Sequence, residues 1–180
     1  MIKVDDAGLI RRWQRVLPAD LVPSLVENYR KVLSQQGRDS SASEIALALQ
    51  TDVQFRIPAI RLVEAQSRNN LPAYSYLFTW KSPVPGLGAC HTLDVGFVFG
   101  NLNAAFNGTG PAADSLASKI QEAWLSFARN DNPSCEILGN WPQYGNRRVT
   151  MILGEECYLA EAPYDAERRT WDSIPNKFLG

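Results

Sequence analysis

Gly88-Ala89-Cys90-His91-Thr92-Leu93-Asp94-Val95-Gly96-Phe97-Val98-Phe99-Gly100 holds the only histidine of a 180-residue chain. Histidine is the one side chain whose unperturbed pKa lets it exchange protons near neutral pH. Just upstream, Ala73-Tyr74-Ser75-Tyr76-Leu77-Phe78-Thr79-Trp80 is the clearest strand signal: short, aromatic-rich and set between prolines. It is apolar at both parities, which predicts a strand covered on both faces, the kind found inside α/β sheets. Lys81 to Gly88, with two prolines and two glycines, reads as the loop that delivers His91 from the end of that strand.

Outward from this segment the chain is mostly helical. Leu9, Ile10, Trp13, Val16 and Leu17 fall at helical spacing, and Pro18 ends the run. A second helix opens at Pro18-Ala19-Asp20 and closes at Gly37. Ser41 and Glu44 form a capping-box pattern that starts a third, running towards Phe55. A further helix is predicted from Pro58 to about Arg68, carrying Ile60, Leu62 and Val63, and Asn69-Asn70-Leu71-Pro72 breaks it. Pro111 opens a long amphipathic helix with Leu116, Ile120, Trp124, Leu125 and Phe127 on its buried side. Two short strands, Arg148 to Leu153 and Cys157 to Ala160, and a short helix from Asp165 to Trp171 complete the reading.

Two or three strands against at least five helices leaves the two-sided strand short of neighbours. The expectation is therefore part of a larger sheet, with an uncovered strand edge and uncovered apolar helix faces. The net charge of −1, with no basic cluster, argues against a nucleic-acid partner. No apolar run approaches the ~20 residues of a transmembrane helix, so no membrane span is expected. Cys90, Cys135 and Cys157 have neither metal-ligand spacing nor an even count, so three reduced thiols are the simplest reading.

Several segments together resemble the type-B carboxylesterase and cholinesterase-like family of α/β-hydrolases. Thr51-Asp52-Val53-Gln54-Phe55-Arg56-Ile57-Pro58-Ala59-Ile60-Arg61-Leu62 resembles that family's Thr-Asp-x-x-Phe-Arg-x-Pro-Ala-x-Arg-Leu helix. Pro72 to Trp80 resembles its aromatic strand, and Gly88 to Gly100 its histidine loop. Gln121-Glu122-Ala123-Trp124, Phe127-Ala128-Arg129, Asn132-Pro133 and Trp141-Pro142-Gln143-Tyr144 follow in the family's order. The resemblance implies an α/β fold of which this chain is the C-terminal part, helix-rich and carrying the last few strands of the central sheet. It treats 1–180 as one segment, with a helical region over 1–70 and the strands, histidine loop and remaining helices over 71–180.

The resemblance also implies a role for His91: the general base of a Ser-Glu/Asp-His triad that hydrolyses carboxylic esters, without a cofactor or metal. Taken alone, a single histidine more often reads as a hydrogen-bonded packing residue. The nucleophile elbow Gly-x-Ser-x-Gly is absent, as is a His-Gly-Gly-Gly oxyanion segment. Asp5 and Asp6 lie about the right distance upstream for the acid but lack the family's Asn-x-x-Glu-Gly turn. The missing groups are expected from an N-terminal portion of the same fold, the chain being inactive alone. Asp94 is read as a structural anchor of the loop, and Asp52, Arg56 and Arg61 as internal salt-bridge partners. Gly96 stands where many members have proline and is expected to loosen the turn. Phe97, Phe99 and Trp80 are candidates to line an ester pocket, with core packing as the alternative. A non-catalytic binding or adhesion module, or the product of a truncated gene, is the competing function.

Overall fold

A computed structural model describes residues 4–179. The elements, in chain order, are α1 (Asp6–Trp13), α2 (Val22–Gln35), α3 (Ala42–Thr51), a π-helical turn (Asp52–Arg56), α4 (Ile57–Arg68), β1 (Tyr76–Phe78), α5 (Leu93–Val98), α6 (Pro111–Asn130), β2 (Val149–Leu153), β3 (Tyr158–Glu161), α7 (Asp165–Arg169) and a 3-10 turn (Asn176–Phe178). The chain divides into two compact units. The first comprises residues up to Leu62 and from Tyr164 onward; the second is Val63–Pro163.

In the first unit, α1 is capped by Asp5, whose Oδ1 accepts from Gly8 N–H at 2.7 Å. α3 is capped by Ser41, whose Oγ accepts from Glu44 N–H at 3.4 Å. The break expected between Phe55 and Pro58 is not a break. Pro58 has no N–H to give the carbonyl of Gln54, and the helix widens there, with Ile57 N–H donating to Asp52 O. Apolar side chains of α1 to α3 meet Trp171 and Ile174 in one core, in which Trp13, Tyr29 and Trp171 are fully enclosed.

A polar knot sits in that core. The buried Asp52 carboxylate accepts two bonds from Arg56, Nε and Nη2, each at 2.6 Å, and a third from the Tyr29 hydroxyl. Tyr29 in turn accepts from Trp171 Nε1 at 2.5 Å. The expected Asp52–Arg56 pairing is thus present. Arg61 is a correction: it donates to neutral acceptors, the carbonyls of Trp171 (2.7 Å) and Ile174 (2.8 Å) and the amide of Asn176. Five fixed donors suit a guanidinium to closing off a chain end in this way.

The second unit is built on a three-stranded sheet of order β1-β2-β3. β1 and β2 are parallel, pairing Tyr76 with Met151 and Phe78 with Leu153, while β3 runs antiparallel, pairing Met151 with Leu159. All five residues of β2 are buried. The strand marked by the sequence as two-sided, β1, is shorter than expected. Its paired part covers three residues, Tyr76 is exposed, and among the described residues it has a strand neighbour on one side only. α6 packs Leu116, Ala117, Ile120 and Ala123 against Phe97, Trp141, Met151 and Leu153. Leu125 and Phe127, expected on the buried side, are half exposed. Leu125 lies off the 116–120–123 stripe, and Phe127 reaches only the edge of the Tyr74 ring, 6.0 Å away.

Burial, then the neighbouring Asp52 charge, raises the Tyr29 pKa well above its ordinary value. Its neutral form is the one the fold favours, so that stabilisation is complete below pH ~10 and is lost as pH rises towards the folded-state value. We predict a melting temperature that holds steady from pH 7 to 9 and falls above about pH 10. Tyr29→Phe should flatten part of that fall and cost about 1–3 kcal/mol at neutral pH, because Asp52 and Trp171 each lose a buried partner. Thermal melts across pH check both.

Candidate functional site

The histidine segment leaves the C-terminal end of β1. Thr79 N–H still bonds Leu153 O at 2.7 Å, and the chain then turns out through Lys81 to Leu87. Ser82 N–H closes that loop on Gly88 O at 2.9 Å, and Ser82 Oγ reaches Phe106 O at 2.7 Å. His91 follows on the surface, within a turn in which Leu93 N–H bonds Cys90 O at 3.2 Å. Thr92 then takes a left-handed conformation (φ 69°) and serves as the N-cap of α5. α5 ends in a Schellman motif, with Gly100 N–H on Phe97 O (3.3 Å) and Asn101 N–H on Gly96 O (2.8 Å). Gly100 supplies the positive φ (63°) that motif needs.

Three side chains fix α5 against the unit. The Tyr76 hydroxyl donates to Asp94 Oδ2 at 2.9 Å, so Asp94 anchors the helix to β1. Burial and then the Asp94 charge push the Tyr76 hydroxyl upward in pKa, which keeps it a donor at neutral pH. Leu93 and Phe97 are fully buried, with the Phe97 ring edge-on to Phe78 (5.4 Å) and Trp80 (5.7 Å). Gly96 corrects an expectation: it lies in the middle of α5, and a Cβ there would come within 2.8 Å of both polar atoms of the Asn107 side chain. The glycine admits a neighbour instead of loosening a turn.

Of the candidate pocket residues, Phe97 and Trp80 are thus packed against one another, Phe97 with no exposed surface. Phe99, at 77% exposure, stands out from the C-terminal end of α5. Asp5 and Asp6 belong to the first unit, where Asp5 caps α1 and Asp6 pairs with Arg30 at 2.7 Å. Cys90, Cys135 and Cys157 are free thiols. Among the described residues, no cluster of three or more His, Cys, Asp or Glu could hold a metal ion, and no helix is long and apolar enough to cross a membrane. Asn107 and Ser82 were not singled out by the sequence. Asn107-Gly108 is a turn signal, but nothing in it reports that the amide is buried.

A parallel strand pair flanked by helices, with a loop leaving the carboxyl end of one strand, is the local architecture of an α/β fold. A family model described as the carboxylesterase family matches residues 7–171, and the chain belongs to that family. The para-nitrobenzyl esterase of Bacillus subtilis is 35% identical over 132 residues, which is 70% of this chain and 27% of that protein. Mouse carboxylesterase 1C is 26% identical over 175 residues, 92% of this chain and 31% of that one. Among solved structures, a carboxylesterase from Geobacillus stearothermophilus superposes with a TM-score of 0.76 at 28% identity, covering 94% of this chain and 35% of its own. The chain therefore spans about a third of these relatives' length.

Removing the Tyr76 hydroxyl leaves Asp94 without its partner on β1. Tyr76→Phe should cost about 1 kcal/mol, read as a lower urea midpoint with an unchanged slope. Near-ultraviolet circular dichroism should keep its aromatic signal.

Proposed function

We propose that this chain supplies the histidine base of a serine carboxylesterase site. The serine, the triad acid and the oxyanion donors come from a further portion of the same fold, and the chain alone does not hydrolyse esters. The observation that carries this reading is the place of His91: an exposed residue on the loop leaving the carboxyl end of a parallel strand. Ligands of open α/β sheets bind outside those strand ends.

The chemistry asked of His91 is two-step acyl transfer. Its imidazole takes the serine proton as the oxygen attacks the ester carbonyl, then returns that proton to the departing alcohol. In the second step it takes a proton from water, whose oxygen attacks the acyl-enzyme, and gives it back to the serine as the acid leaves. Nothing in this sequence requires a cofactor or a metal. Phe99, exposed beside the same loop, is available as a wall for the apolar part of a small ester, while Phe97 supports the loop from beneath. The partner portion pairs with the open side of β1 and covers the apolar surface left by Phe99, Leu125 and Phe127.

Two assays test this. The chain alone should hydrolyse p-nitrophenyl acetate and butyrate no faster than its His91→Ala variant. Turnover that disappears in the variant would mean that a nucleophile within these residues completes the site. A chimera replacing the matching segment of the B. subtilis relative with this chain should hydrolyse p-nitrophenyl butyrate. His91→Ala in that chimera should lower kcat by at least about 10³-fold, in keeping with loss of a triad member. A chimera that melts cooperatively yet turns over nothing would place the chain with non-catalytic relatives of the fold.

A further inference from the structure

We infer that Asn107 is a positioning residue of the histidine loop, one of the groups that set where His91 is held. The inference rests on the reading of His91 as the general base and adds a residue to that site. Asn107 is 3% exposed, and its amide works in two directions. Nδ2 donates to Leu93 O at 2.8 Å, two residues after His91, and Oδ1 accepts from Asn103 N–H at 2.9 Å. Its main chain is also committed: the carbonyl accepts from Trp80 Nε1 at 2.7 Å and the N–H donates to Asn103 O at 2.7 Å.

The other end of the histidine segment is tied to the same turn. Ser82 holds Gly88 O through its N–H and Phe106 O through its hydroxyl. Gly88 and Leu93 are therefore both fastened to residues 103–107, and His91 lies on the short span between them. That span contains Thr92 at φ 69°, a left-handed conformation that a non-glycine residue keeps only where its surroundings impose it. Within the segment Leu93 N–H bonds Cys90 O (3.2 Å) and Val95 N–H bonds Thr92 O (3.1 Å), and the Asn107 amide adds a bond from the 103–107 turn to Leu93 O, one residue after Thr92. That bond needs a donor and Asn103 N–H needs an acceptor, which asparagine provides on one short planar group and an apolar side chain does not. Gly96 leaves room for the amide, since any Cβ there would collide with it.

Because the chain has a single histidine, the imidazole C2 proton signal in a nuclear magnetic resonance spectrum of the full chain, taken at one fixed pH, reports the surroundings of His91 alone. Amide exchange over residues 88–100, over α6 and over the first unit is read in the same samples. In Asn107→Ala we expect the His91 signal to move and sharpen towards that of a free peptide of residues 88–95. Amide protection over Leu93–Phe99 should fall about tenfold or more, with α6 and the first unit unchanged. Gly96→Ala, which displaces the same amide without removing it, should move both readouts in the same direction.

A His91 signal identical to wild type in either variant would overturn the inference. So would a uniform loss of protection over the loop and α6 together, which would make Asn107 a general core residue of the unit. The exchange readout needs no turnover. An inactive but folded chimera with the exchange difference intact would refute the base assignment and leave the positioning role standing.

Discussion

Two parallel strands cannot be joined by a hairpin, and this constraint orders the second unit. From the end of β1 to the start of β2 the chain must travel the length of the sheet and return before Phe78 can lie beside Leu153. Everything of chemical interest occupies that excursion. Its outward leg leaves from the carboxyl end of β1 and carries His91 and α5; its return leg includes α6, whose apolar stripe covers the sheet. The histidine is at the strand end because the crossover starts there. The turn at 103–107 lies between the two legs and fastens the first of them. Without the parallel pairing neither the loop nor its fastening would have a fixed origin.

The first unit shows a different economy. Its core is apolar except at Asp52, where a carboxylate is held by two guanidinium bonds and a tyrosine hydroxyl. Removing one partner of such a pair costs about 3–5 kcal/mol, because the other is left charged and dry. Close by, Glu167 is also buried, and it is met by Arg38 at 3.1 Å and Gln36 at 3.3 Å. Both carboxylates tie residues from α7 and the segment after it to α2 and the π-helical turn, directly for Glu167 and through Tyr29 and Trp171 for Asp52. Polar contacts, each with specific geometry, decide how the end of the chain seats.

Most of this was legible where the signal is local. Caps, prolines and periodicity place six helical stretches and three strands near their observed positions, and Ser41 caps α3 as its pattern with Glu44 predicts; α5, read as part of the histidine loop, is the helix they miss. The α/β character and the family followed from segment order. What the sequence hid depends on a third party. Pro58 reads as a helix start, yet the chain absorbs its missing donor in a π-helical turn. Leu125 is apolar but lies off the stripe through Leu116, Ile120 and Ala123, and Phe127 continues that stripe into the last turn of α6, where it is half exposed. β1 is apolar on both faces and still only partly buried, because apolarity states what a strand needs and not what surrounds it. In the histidine loop, the anchoring role of Asp94 was anticipated from its motif. Asn107 and the steric meaning of Gly96 were not, since each is defined by the other across a turn.

The two units differ in how they use sequence distance. The second is contiguous, whereas the first closes its core with Trp171, whose indole bonds a tyrosine 142 residues earlier. During synthesis from the N-terminus, α1 to α3 are therefore made before the whole of the second unit and before the side chains that seal them. The core that Trp13, Tyr29 and Leu33 share with Leu9, Ile45 and Leu49 is left open until Trp171 and Ile174 emerge. The intervening unit has every residue of its sheet and crossover on hand before then. The discontinuity written into the fold thus imposes an order of completion, inner segment first, outer segments last. It also makes the early helices the stretch most exposed to proteases and chaperones while the chain is being made.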